Sequence, residues 1–146
     1  MTATDPFDLD RFVEAQADSH AGAMRELARG RKTGHWMWFV FPQVAGLGHS
    51  AMARHYAIRS LAEARAYLAH PVLGPRLAEA TRAVTAASGS AAAIMGGIDA
   101  VKLRSSMTLF AVAATQVAER APFEAALARF FSGERDPETL ARLPAA

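Results

Sequence analysis

The chain has 146 residues, 51% of them hydrophobic and 21% charged, with a formal net charge of +2. That length holds one domain with one substantial core, and the hydrophobic share excludes a disordered chain. The absence of cysteine excludes disulfides, cysteine-ligated metals and a thiol nucleophile, and a charge so near neutrality does not imply nucleic acid, even at a pI of about 9.5.

Met1 to Asp10 contains Asp5, Asp8 and Asp10 and lacks the basic start and apolar core of a secretory signal. No later window approaches the length of uninterrupted apolar sequence that a membrane span needs, so no membrane association and a cytoplasmic location are expected. Alanine, the strongest helix former, is abundant throughout. The pattern predicts an all-α, compact single-domain bundle of seven or eight helices over residues 1–146, with short loops and no sheet.

Asp5-Pro6-Phe7-Asp8 reads as a helix start, with Asp5 as N-cap and Pro6 in the first turn, and Leu9, Phe12, Val13 and Gln16 follow at helical spacing. Asp18-Ser19 caps a second segment through Met24 and Leu27, which Gly30 ends. Arg29, Arg31 and Lys32 fall at that C-terminus, where cations stabilise the helix dipole by about 0.3 to 1 kcal/mol each.

The run His35-Trp36-Met37-Trp38-Phe39-Val40-Phe41-Pro42-Gln43 contains both tryptophans. Its large apolar side chains are each worth about 1.5 to 3 kcal/mol when buried. With no partner strand evident, the run reads as helical or as a buried turn ending at Pro42. After the glycine-punctuated loop from Val44 to His49, Ser50 caps a helix carrying Met52, Tyr56 and Ile58. Ser60-Leu61-Ala62-Glu63 has the form of a capping box, and His70-Pro71 stops the helix it opens.

Gly74-Pro75 starts the next helix, striped by Leu77, Ala80 and Val84 and broken at Ser88-Gly89-Ser90. Ala91 to Met95 makes one short turn, and Asp99 caps a long apolar helix from Ala100 to about Glu119. Pro122 begins another helix, ended by Gly133, and Asp136-Pro137-Glu138 opens a last short one.

Two stretches carry candidate chemistry. Trp36, Trp38 and Phe41 form an apolar wall beside a polar margin, the make-up of a small-molecule pocket, with His35, Gln43 and Tyr56 at its rim. Lys102, Ser105 and Ser106 bring an ammonium and hydroxyls to the start of a buried helix, a seat for an anion; with Lys102 as base, Ser105 or Ser106 could also be a nucleophile. Each feature has a plain structural alternative: an aromatic core, a surface pair of Lys102 with Asp99, and hydroxyls bonded to backbone one turn back. His20, His35, His49, His55 and His70 show no His-x-x-x-His pair, so neither a metal nor a cofactor is expected. Gly46-Leu47-Gly48-His49-Ser50 lacks the third glycine of a dinucleotide loop and the Gly-Lys-Ser/Thr of a P-loop.

The run from His35 to Gln43, together with Gly46-Leu47-Gly48, Ser50, Tyr56, Ser60-Leu61, His70-Pro71, Leu73-Gly74 and Lys102 through Phe110, resembles the bacterial domain-of-unknown-function family 1810. Phe7-Asp8-Leu9, Arg11-Phe12-Val13, Ala15-Gln16, Gly133, Asp136, Thr139 and Leu140 extend the resemblance over nearly the whole chain. It implies a compact all-α domain and supplies no activity, substrate or catalytic residue. Members are often labelled calpastatin-like, but calpastatin is a largely disordered repeat inhibitor, whereas this composition forms a core and has no internal repeat.

The expectation is therefore a small anionic, nucleotide-like ligand between the tryptophan-rich segment and the Lys-Ser-Ser helix, bound by His35, Trp36, Trp38, Gln43, Tyr56, Lys102, Ser105 and Ser106, with catalysis left open. The alternatives are an interaction module with no pocket, for a protein partner the sequence does not identify, and a nucleic-acid surface at Arg29, Arg31, Lys32 and Arg54, which the near-neutral charge disfavours.

Overall fold

Helix α8 (Gly97–Ala113) forms the axis of the fold, buried from Leu103 to Ala113 except at Arg104 and Val112. This computed structural model describes residues 5–143, and among them every regular element is a helix. The others are α1 (Asp10–Ala17), α2 (His20–Ala28), α3 (Met37–Val40), α4 (Ala51–His55), α5 (Leu61–Ala69), α6 (Leu73–Ala86), α7 (Ala91–Met95), α9 (Val117–Phe131) and α10 (Pro137–Ala141). α8 packs against α5, α7, α9 and α10, while α6 packs against α2, α5 and α9.

Aromatic rings run through the middle of this assembly. Phe110 lies 5.8 Å from Phe123 and 5.3 Å from Tyr67, and Tyr67 meets Phe12 edge-on at 5.1 Å, so α9, α8, α5 and α1 share one ladder of rings. Gln16 Nε2 donates to Tyr67 Oη at 3.2 Å and to Phe39 O at 2.7 Å. Burial pushes the Tyr67 phenol well above its ordinary value, so it stays neutral.

The all-helical expectation holds, with two short additions to the count. Ten helices stand among the described residues where seven or eight were expected, because α3 and α7 are complete single turns. No sheet forms among the described residues; an isolated parallel bridge joins Val44 to Ile58. No helix among the described residues is long and apolar enough to cross a membrane. Residues 1–4 and 144–146 of the expected single domain lie outside the described residues.

Several boundaries move for identifiable reasons. α1 starts at Asp10; Asp5 instead accepts from Leu9 N at 2.8 Å and Asp10 N at 2.9 Å across a turn. Ser50 and Ser60 cap as expected, accepting from Ala53 N and Glu63 N. α4 nevertheless stops at His55, because Ile58 N donates to Gln43 O and Ala45 N to Ile58 O. Glu63 does not close the box on Ser60: one carboxylate oxygen accepts from Arg59 N and the other from Arg11. α6 begins at Leu73, two residues before Pro75, since His70 Nδ1 accepts from Val72 N and Leu73 N.

The break expected between Glu119 and Pro122 falls instead at residues 114–116, so the long helix is shorter than expected and the next one starts earlier. The long helix starts early, with Asp99 inside its first turn, and ends at Ala113. The carbonyls of Ala111 and Ala114 accept from Arg120, and Ala113 O accepts from Arg65. Glu119 accepts from Thr115 N, so α9 opens at Val117 and Pro122 falls inside it, where it forgoes a ladder hydrogen bond.

Candidate functional site

The two tryptophans of the aromatic run meet two lysines. Lys32 sits in the middle of the α2–α3 connection with its side chain 7% exposed, its ammonium 2.8 Å from Asp99 Oδ2 and 4.9 Å from the centre of the Trp36 ring. It also donates to Gly34 O at 2.5 Å. Lys102, one turn along α8 from Asp99, has its ammonium 3.6 Å from Asp99 Oδ1 and 5.4 Å from the centre of Trp38. One carboxylate therefore lies between two cations, and each cation lies over an indole face that attracts it.

Trp36 is fixed from its other side. Glu26 Oε1 accepts from Thr33 N at 2.6 Å, Gly34 N at 2.7 Å and Trp36 Nε1 at 3.1 Å. Burial works against the Glu26 charge, but the hydrogen bonds from Gly34, Thr33 and Trp36 outweigh it and hold its carboxyl below the ordinary value.

Beyond Lys102 opens a cleft of about 280 Å³. One wall is the N-terminal part of α8, with Ile98, Val101, Lys102 and Ser105; Gln43, Leu47 and Gly48 form the second, and Asp136 and Glu138 at the start of α10 form the third. Ile98 and Val101 are 77% and 67% exposed, unusual for such side chains. The Asp136 carboxylate is occupied: its Oδ2 accepts from Ser105 Oγ at 3.1 Å, Thr139 N at 3.1 Å and Thr139 Oγ1 at 2.6 Å. Asp136 N donates to Thr108 Oγ1, and Arg104 donates to the carbonyls of Glu134 and Arg135, so α8 latches the third wall in place.

The sequence candidates divide by position. Gln43, Lys102 and Ser105 line the cleft. Trp38, partly buried, supports Lys102. Trp36 is 4% exposed and lies under Lys32, and Phe41 is fully buried 6.2 Å from it. His35 is exposed and outside the cleft lining, Tyr56 is half-buried and packs against Phe12 and Phe39 at the edge of the core, and Ser106 is fully buried with its hydroxyl unpartnered among the described residues.

Asp136, Ile98 and Val101 escaped the sequence reading as site residues, and Lys32 entered it only as part of a nucleic-acid surface. Lys32 and Asp136 gain their roles from partners distant in the chain, for which no local pattern exists; the exposure of Ile98 and Val101 had a faint signal in their position before the continuously apolar part of α8. Among the described residues, no three histidine, aspartate or glutamate side chains gather as a metal ion needs.

The family model described as "Protein of unknown function (DUF1810)" matches residues 6–143. The chain is also similar to a solved structure, the conserved hypothetical protein Rv1873 from Mycobacterium tuberculosis, at 51% identity and a TM-score of 0.92 over 97% of this chain and 100% of that one. No curated protein matches.

Proposed function

The chain belongs to the DUF1810 family, and from that premise we propose that it binds a small molecule with one anionic group and an apolar body in the cleft beside Lys102. The observation that carries this reading is an ammonium and two exposed aliphatic side chains, Ile98 and Val101, on one open wall. Lys32 lies closer to Asp99 than Lys102 does, at 2.8 against 3.6 Å, which leaves Lys102 able to donate to a ligand. Covering Ile98 and Val101 supplies apolar burial worth up to about 1.5 to 3 kcal/mol each, less the cost of association.

The same walls narrow the ligand. Asp136 and Glu138 face the one lysine, so a carboxylate or phosphate monoester is favoured over a polyphosphate, whose charges would meet theirs. Trp36 is buried and Trp38 gives a ring face to Lys102, so support for a stacked nucleobase is weak. Ser105 donates to an Asp136 oxygen already holding two other donors, an arrangement suited to fixing a wall rather than generating a nucleophile. Binding is therefore the reading, without a reaction assigned.

Isothermal titration with octanoate and with ATP tests it. Octanoate is expected to bind more tightly than ATP, and Lys102→Met and Ile98→Asp each to weaken octanoate by about tenfold or more. Equal octanoate affinity in the parent chain and Lys102→Met would remove the proposal. The exposure of Ile98 and Val101 favours one other reading, an interaction module that docks a protein there. Self-association seen by light scattering, lost in Ile98→Asp and kept in Lys102→Met, would support that instead.

A further inference from the structure

A second cleft, of about 380 Å³, opens between the turn preceding α1 and the segment that joins α4 to α5. Its floor is the ion pair of Arg11 and Glu63 at 2.7 Å, with side chains only 10% and 3% exposed. Arg11 Nε donates to His55 O, Nη1 to Phe7 O and Asp8 O, and Nη2 to Ala57 O and Glu63 Oε2. Those bonds use every donor a guanidinium has, so Arg11 offers nothing to a ligand. It instead fixes both walls, gripping Phe7 and Asp8 on one side and His55 and Ala57 on the other.

Two opposite charges remain at the mouth. Asp8 lines one wall with φ at 51°, a left-handed backbone that aspartate tolerates better than most residues, and Arg59 lines the other beside His55. Both are exposed, and among the described residues neither has an ion-pair partner within 4.0 Å, each other included. A lone anion attracted by Arg59 would meet Asp8, and a lone cation attracted by Asp8 would meet Arg59. Only a molecule with both charges satisfies both walls, and Pro6 and Phe7 offer it an apolar side.

We propose that this cleft binds a small zwitterion with the charges of a free α-amino acid, its ammonium against Asp8 and its carboxylate against Arg59. The site is independent of the Lys102 cleft. Nitrogen–proton NMR titration with leucine is expected to shift the amides around Asp8 and Arg59. Leucine amide, which lacks the carboxylate, and 4-methylpentanoate, which lacks the ammonium, are each expected to bind about tenfold more weakly than leucine.

Asp8→Asn keeps a residue that tolerates the left-handed backbone. It should weaken leucine about tenfold and tighten 4-methylpentanoate, from which it lifts a repulsion, while Arg59→Gln should weaken leucine and tighten leucine amide for the same reason. Lys102→Met should alter none of these. Equal binding of leucine and 4-methylpentanoate, leucine shifts confined to Ile98–Ser105, or no shift up to about 20 mM leucine would overturn the proposal.

Discussion

Glu26 illustrates how one carboxylate oxygen can shape a site it does not enter. Its three donors fix the turn at Thr33 and Gly34 and the indole of Trp36, and that indole lies under the Lys32 ammonium that pairs with Asp99. Because the folded pKa lies below the ordinary 4.5, the stabilisation is complete above that value and is lost as pH falls through the folded one. Thermal melts from about pH 3 to 7 should therefore show Glu26→Gln less stable than the parent at pH 7, with a shallower loss of stability on acidification. Parallel curves for the two proteins would mean that the charge on Glu26 contributes nothing to these hydrogen bonds. At this scale the sequence was informative about residue type and poor about direction. Gln43, Lys102 and Ser105 gather as a polar margin should, but Tyr56 turns inward to Phe12 and Phe39 because α4 ends before it, and Ser106 lies on the buried side of α8.

Elements whose ends are set by local chemistry were legible from the residues. Ser50, Ser60, Ser90 and Asp136 each accept from the amide three residues on, and each stands where a cap was read or a helix break was followed by a new turn. The junction of α8 and α9 was not legible. Ala114-Thr115-Gln116 contains neither glycine nor proline, and the helix is closed by Arg65 and Arg120 reaching its last carbonyls from other elements. Gly74 marks a close approach of consecutive helices: a β-carbon there would lie 2.1 Å from the carbonyl oxygen of Leu68, so α5 and α6 meet through the missing side chain. Gly74→Ala should cost about 1 to 3 kcal/mol in urea denaturation through overpacking against rigid backbone. An unchanged midpoint would contradict that close approach.

Across the whole molecule, α8 joins two environments. Its C-terminal half carries Met107, Leu109 and Phe110 into the core, where the ring ladder links α1, α5 and α9. Its N-terminal half exposes Ile98 and Val101 and holds Lys102 between Asp99 and Trp38. The tryptophan-rich run thus contributes buried packing through Trp36 and Phe41 and places Trp38 where it supports the Lys102 ammonium. The third wall, α10, is latched to α8 through Asp136, Ser105 and Thr108, so the cleft is fixed by the same helix that organises the core. The direct test is to map octanoate by nitrogen–proton NMR on the intact chain. The account predicts amide shifts concentrated at Gln43–Gly48, Ile98–Ser105 and Asp136–Glu138 and needing about tenfold more octanoate or above in Lys102→Met; shifts absent from those segments, or unchanged in Lys102→Met, would contradict it.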